Sequence, residues 1–192
     1  MPYAKQHKQN TRKHILASAF TLFTAKGFDK VTVDQLMRNC NLTRGGFYAH
    51  FTSKAELYSE AIKFSAQNSM LNDLKPADIS DKQWVQWLLD KYLSMDHVNG
   101  ERACPLAFLS TDIVMQNEAA KMVYADTYLN FNRLLSVMVR KYCECSEETI
   151  LATTAMMIGG VAMARTLQNQ QASQQLLSAC RNEACLKLGL KN

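Results

Sequence analysis

The stretch Thr32-Val33-Asp34-Gln35-Leu36-Met37-Arg38-Asn39-Cys40-Asn41-Leu42-Thr43-Arg44-Gly45-Gly46-Phe47-Tyr48 decides the reading of this chain. Thr32 and Gln35 have the spacing of a capping box, in which each side chain serves the other residue's backbone N–H, and they start a short helix ending near Cys40. Asn41-Leu42 makes a tight turn, and Thr43 can cap a second short helix running through Phe51. Val33, Leu36, Met37 and Leu42 supply the apolar contacts that hold this pair against a preceding helix. Two short helices joined in this way predict a helix-turn-helix, whose second helix enters the major groove of duplex DNA.

The residue types in the second helix suit that task. Arg44 stands where recognition helices reach base edges, and its fork matches guanine O6 and N7. Gly45 and Gly46 each cost a helix about 1 kcal/mol relative to Ala, which is reasonable where a backbone must approach DNA closely. Tyr48, His50 and Lys54 can donate to phosphates, and the helix opening at Ser53 presents backbone N–H groups. Plainer roles stay open: Phe47 and Phe51 as core, His50 as a cap, Arg44 as a surface charge.

Working outward, Ile15, Leu16, Ala19, Phe20, Leu22 and Phe23 recur at helical spacing over residues 10–26, and Gly27 stops that helix. Ser53-Lys54-Ala55-Glu56 is a second capping box, opening a helix towards residue 70. Residues 73–81, with Pro76 and several acids, form the expected boundary before Ser80-Asp81-Lys82-Gln83 caps a helix bearing Trp84, Trp87, Leu88 and Tyr92. Residues 97–103 read as a loop, a short helix follows Pro105, and long helices follow over 117–142, 146–168 and 172–188. The expectation is an all-α fold: a three-helix head over 1–52, and a connecting helix with a larger helical body over 53–192.

Composition agrees. Of 192 residues, 47% are apolar and only 7 are Gly and 3 Pro, which argues against a many-turned β fold. The net charge of +5 sits wholly in residues 1–60, where nine Lys/Arg face four acids. That asymmetry fits a head that meets a polyanion, although a solvated basic face would look the same. Six cysteines without framework spacing, and no apolar leader, suggest a reducing cytoplasm. The longest uncharged run, residues 149–164, holds 16 residues including Gly159-Gly160 and is read as too short and interrupted for a membrane span.

The stretch from Thr32 through Phe47-Tyr48-Ala49-His50-Phe51-Thr52-Ser53-Lys54 to Leu57, with Arg12-Lys13-His14-Ile15-Leu16 before it, resembles the DNA-binding head of the tetracycline-repressor (TetR) family. The resemblance covers roughly residues 10–60. It implies a homodimer on palindromic operator DNA with a divergent inducer-binding domain. It further implies that Thr32, Tyr48 and Lys54 meet phosphates and that Thr43, Arg44 and Gly45 approach bases, with Phe47 partly structural. Family members pair their last two long helices, so residues 146–188 are the expected homodimer interface. The Met- and Gly-rich run 156–164 allows such close approach, though an ordinary buried helix would also carry it.

Signals in the body are weaker. Trp87, Phe108 and Tyr128 are candidate inducer contacts among aromatics that mostly serve as core, and Asp112 and Asp126 are the acids best placed among them. Cys104 precedes Pro105 at a helix start, where a thiolate is favoured, with Arg102 two residues away. The segment 103–110 also resembles one in TetR-type repressors that sense electrophiles through a cysteine; a small buried hydrophobe is the plainer reading. Cys143-Glu144-Cys145, Cys180 and Cys185 lack zinc-finger spacing and the four His are scattered, so no metal and no cofactor is expected. No nucleophile–base pair marks an enzyme. The functional expectation is a repressor released by a small hydrophobic or electrophilic inducer; the alternative is a ligand-independent DNA-binding regulator, either activator or architectural factor.

Overall fold

A computed structural model describes residues 2–69, 75–100 and 103–190, and among these there are helices and no strand. The head comprises α1 (Pro2–Lys26), α2 (Val33–Asn39) and α3 (Arg44–Tyr48), and α4 (Lys54–Gln67) leads out of it. The body holds α5 (Asp81–Tyr92), α6 (Met95–Asn99), α7 (Pro105–Phe108), a 3-10 turn at Ile113–Met115, α8 (Glu118–Val139), α9 (Glu147–Thr166) and α10 (Gln170–Lys187).

Most ends follow from local chemistry. Gly27 closes α1 at φ +79, a conformation in which a Cβ would clash with its own backbone. Both halves of the Thr32–Gln35 and Ser80–Gln83 capping boxes form. The Ser53 box forms only by half. Ser53 accepts the Glu56 N–H, but the Glu56 carboxylate takes the Thr52 backbone N–H at 2.7 Å and its hydroxyl at 2.6 Å, one residue early. Residues 97–103 are not a plain loop: Ser94 caps α6, which buries His97 and Val98. Residues 73 and 74 of the expected boundary, and Arg102, lie outside the described residues.

Two apolar cores result. One joins Ile15, Phe20 and Phe23 of α1, Leu36 and Met37 of α2 and Phe47 of α3 to Leu57, Tyr58 and Ile62 of α4, and it includes Leu109, Ile113 and Ala120 from the body. The other joins α5, α8, α9 and α10 through Leu88, Leu89, Leu135, Met157, Val161 and Leu177. The head is therefore seated on α4 and on the α7–α8 connection, not on a flexible tether.

The α9 helix spans 20 residues and is long and apolar enough to cross a membrane by length and composition, unlike the shorter uncharged run read from the sequence. Its inner face, with Ile150, Met157 and Val161, lies in the body core. Its outer face shows Leu151, Ala152, Ala155, Gly159 and Met163 to solvent at helical spacing.

Candidate nucleic-acid interface and ligand cleft

The α2–α3 turn is built as its sequence demands. Asn41 takes φ 55, the left-handed conformation that Asn tolerates better than most residues, and Leu42 N–H returns to the Met37 carbonyl at 2.8 Å. Leu36 and Met37 face inward with Phe47, while Thr32, Thr43, Arg44, Gly45 and Tyr48 are exposed.

Arg44 pairs with Asp34 at 3.3 Å, but both side chains are exposed, so water screens the pair and little is lost in exchanging it for another anion. Tyr48 is 60% exposed, its ring standing edge-on to Phe47. Gly45 has a helical φ, and a Cβ built there would meet only the Thr43 hydroxyl at 3.9 Å. Nothing among the described residues requires glycine at this position.

Three expected contacts fall elsewhere. Phe47 is 0% exposed and packs against Phe51, so its ring holds α3 in place and cannot reach a duplex. The Lys54 ammonium donates to the carbonyls of Phe28 and Val31, both at 3.0 Å, and lies 4.0 Å from the centre of the Phe28 ring. It ties α4 to the α1–α2 connection, where a phosphate contact was expected. His50 is half-buried, and its Nδ1 has no hydrogen-bond partner among the described residues. Burial, then the charges of Lys8 and Arg12, push its pKa down, so it is a neutral ring at physiological pH.

In the body, a cleft of about 1160 Å³ opens between α1, the end of α4, the α6–α7 region and α8. Cys104 lines it; Trp87, Phe108 and Tyr128 do not. Trp87 stacks on Trp84 with ring centres 4.5 Å apart, and Phe108 carries the Arg165 guanidinium 4.0 Å above its ring. Tyr128 sits on α8, where its carbonyl accepts the Asn132 side-chain N–H. In their place Tyr92, His97, Phe131, Lys63 and Arg133 border the space with Cys104. No local pattern marks those residues, because they come from four separate segments.

The Cys104 sulfur lies 3.0 Å from the Tyr92 hydroxyl. Burial pushes its thiol up, against the lowering effect of Tyr92 and of the Ala107 and Leu106 N–H groups. The helix-start argument for a resting thiolate is thus overridden: α7 has four residues and its field does not offset removal from water. His97 Nδ1 lies 2.7 Å from the Tyr92 carbonyl, which can only accept, so the ring carries its proton there.

The profile of bacterial regulatory proteins of the tetR family matches residues 15–61, the span that folds into the exposed helix pair and its support. Residues 15–61 are thus a TetR-type DNA-binding region by sequence. The chain is 38% identical over 64 residues to the HTH-type transcriptional regulator AcrR of Shigella flexneri, covering 33% of this chain and 30% of that protein. It is 37% identical over 49 residues to IcaR of Staphylococcus aureus, the negative transcriptional regulator of the biofilm operon icaADBC, covering 26% of each. The chain thus matches about a third or less of the length of these curated relatives. Across nearly the whole chain the fold is that of Escherichia coli NemR in its reduced form, with TM-score 0.78, 16% identity, and 91% of this chain and 95% of that one covered. The sequence match to the family therefore spans residues 15–61, and across the rest of the chain the likeness is one of fold alone.

Proposed function

We propose that this regulator represses transcription as a homodimer on palindromic operator DNA and is released by a small hydrophobic or electrophilic inducer. The observation that carries the DNA contact is Gly45. An exposed helical glycine with room for a side chain costs about 1 kcal/mol and returns nothing internally. A partner surface that must come within backbone distance of α3 accounts for it. Thr43, Arg44 and Gly45 then face bases, while Thr32 and Tyr48 face phosphates. IcaR, named a negative regulator, supports repression.

Dimerisation through residues 146–188 is supported by the outer face of α9, whose small and apolar residues are exposed among the described residues. A two-fold dimer sets half-sites about one helical turn, or a multiple, apart. The cleft is the proposed inducer site. Its wall includes α7, and the chain from α7 runs on through Leu109 and Ile113 into the head's own core, so a ligand that moves α7 moves the head. A cytoplasmic, non-catalytic role is part of this reading.

The test is a gel-shift titration on the intergenic DNA upstream of the protein's own gene, with and without a panel of quinones, aldehydes and hydrophobic drugs. Specific binding that one compound class abolishes supports the switch. Specific binding that no compound disturbs favours a ligand-independent regulator, and loss of all specific binding removes the operator reading.

A further inference from the structure

The α8–α9 connection carries a feature that neither the head nor the cleft uses. Cys143 and Cys145 bring their sulfurs to 3.4 Å, both partly buried and neither in a disulfide. Cys145 also lies 3.3 Å from the Lys187 carbonyl, which can only accept. The protons are thereby ordered: Cys145 donates to Lys187, and Cys143 to the Cys145 sulfur. The end of α10 is fitted around the pair, because a Cβ at Gly189 would lie 2.9 Å from the Cys143 sulfur, and Gly189 takes φ +67 to turn past it. The neighbouring Tyr142 hydroxyl is buried and has no hydrogen-bond partner among the described residues, an orphan that native interiors seldom leave.

We propose that Cys143 and Cys145 form a two-thiolate site for a soft, thiophilic metal ion of the Cu(I) class. Zinc-type sites need three or four ligands, and no such cluster exists among the described residues. A soft d10 cation is satisfied by two thiolates. With metal–sulfur bonds of about 2.3 Å, two such ligands stand about 3.8 Å apart at a tetrahedral angle and about 4.6 Å apart in a line. The sulfurs at 3.4 Å reach that range by opening a connection that is not helical. On binding, two S–H bonds break and two metal–sulfur bonds form. Both protons leave to solvent and no electron is transferred. Cys145 then has no proton for the Lys187 carbonyl, so the end of α10 loses one of its ties. The site lies on the α8–α9 connection, and Cys104 lies in the cleft, so this proposal is independent of the inducer reading.

The experiment is an anaerobic titration of the reduced, full-length protein with Cu(I) against a chromophoric Cu(I) chelator, followed by alkylation and peptide mapping. One Cu(I) equivalent should protect Cys143 and Cys145 together from alkylation in the unaltered protein. Cys143→Ser and Cys145→Ser should each weaken the tightest site about 100-fold or more. Cys104→Ser and Cys180→Ser should leave it unchanged. First-equivalent protection at Cys104, Cys180 or Cys185, or a Cys143→Ser/Cys145→Ser double variant that binds as tightly as the parent, would overturn the assignment. The protection map needs no variant, so a misfolded variant does not leave the question open.

Discussion

The Asp112 carboxylate, on the α7–α8 connection, accepts the backbone N–H of Phe28 in the head at 3.0 Å, across 84 residues of chain. Its second oxygen takes the Tyr58 hydroxyl of α4 at 2.6 Å. One side chain thus joins body, connecting helix and head. Lys54 holds the other side of the same α1–α2 connection through Phe28 and Val31.

Tyr58→Phe removes only the hydroxyl, so it tests this joint with little change of shape. A half-buried hydrogen bond to a charged group is worth about 1.5–3 kcal/mol, and the variant should unfold at lower urea by that amount. Its operator affinity should fall as well, because Phe28 and the start of α2 lose a fixed reference. A variant as stable as the parent would show that the carboxylate is satisfied by solvent.

Gly45→Ala should separate folding from function. Alanine is about 1 kcal/mol better than glycine in a helix and meets no obstacle here, so thermal stability should rise. Operator binding in a gel shift should be lost. Retained binding would show that the duplex does not approach α3 at this residue.

Lys54→Met and Arg44→Ala should behave differently in salt. Removing a phosphate or base-edge cation lowers the steepness with which DNA affinity falls with salt. Arg44→Ala should reduce it, while Lys54→Met should leave it unchanged and instead destabilise the head by about 1–3 kcal/mol through two lost carbonyl contacts. A shallower salt slope in Lys54→Met would return Lys54 to the DNA surface.

His97 sets a pH dependence. Burial holds its folded-state pKa below the ordinary 6.5, against the raising effect of the Tyr92 carbonyl. Protonation therefore favours the unfolded chain: the contribution is complete above about pH 6.5 and is lost as pH falls through the lower folded value. Urea midpoints should drop between pH 7.5 and 5.5, and His97→Gln should flatten that slope. His50 shifts in the same direction and should leave a residual slope.

Cys104 should alkylate slowly near neutral pH and faster as pH rises past 9.0, because its thiol is raised from that value by burial. Tyr92→Phe removes a hydrogen bond that favours the thiolate, so alkylation at any given pH should slow further. Cys104→Ser should keep operator binding but lose release by quinones or aldehydes; release that persists would take the thiol out of the mechanism.

The helices and the head motif were legible in the sequence because their determinants are local. A capping box such as Thr32–Gln35, a stop such as Gly27 and the apolar rhythm of α1 act within a few residues, where neighbours in sequence are neighbours in space. The exposure of Thr32, Thr43, Arg44, Gly45 and Tyr48 follows from those same rules. Tertiary structure alone decided the rest. It turned Lys54 from solvent to the carbonyls of Phe28 and Val31 and buried Phe47. It also built the cleft around Cys104, Tyr92 and Phe131, leaving Trp87 and Phe108 outside. Those outcomes depend on which helices pack together, and side chains tens of residues apart compete for the same carbonyls and the same space, a competition that periodicity and spacing do not encode.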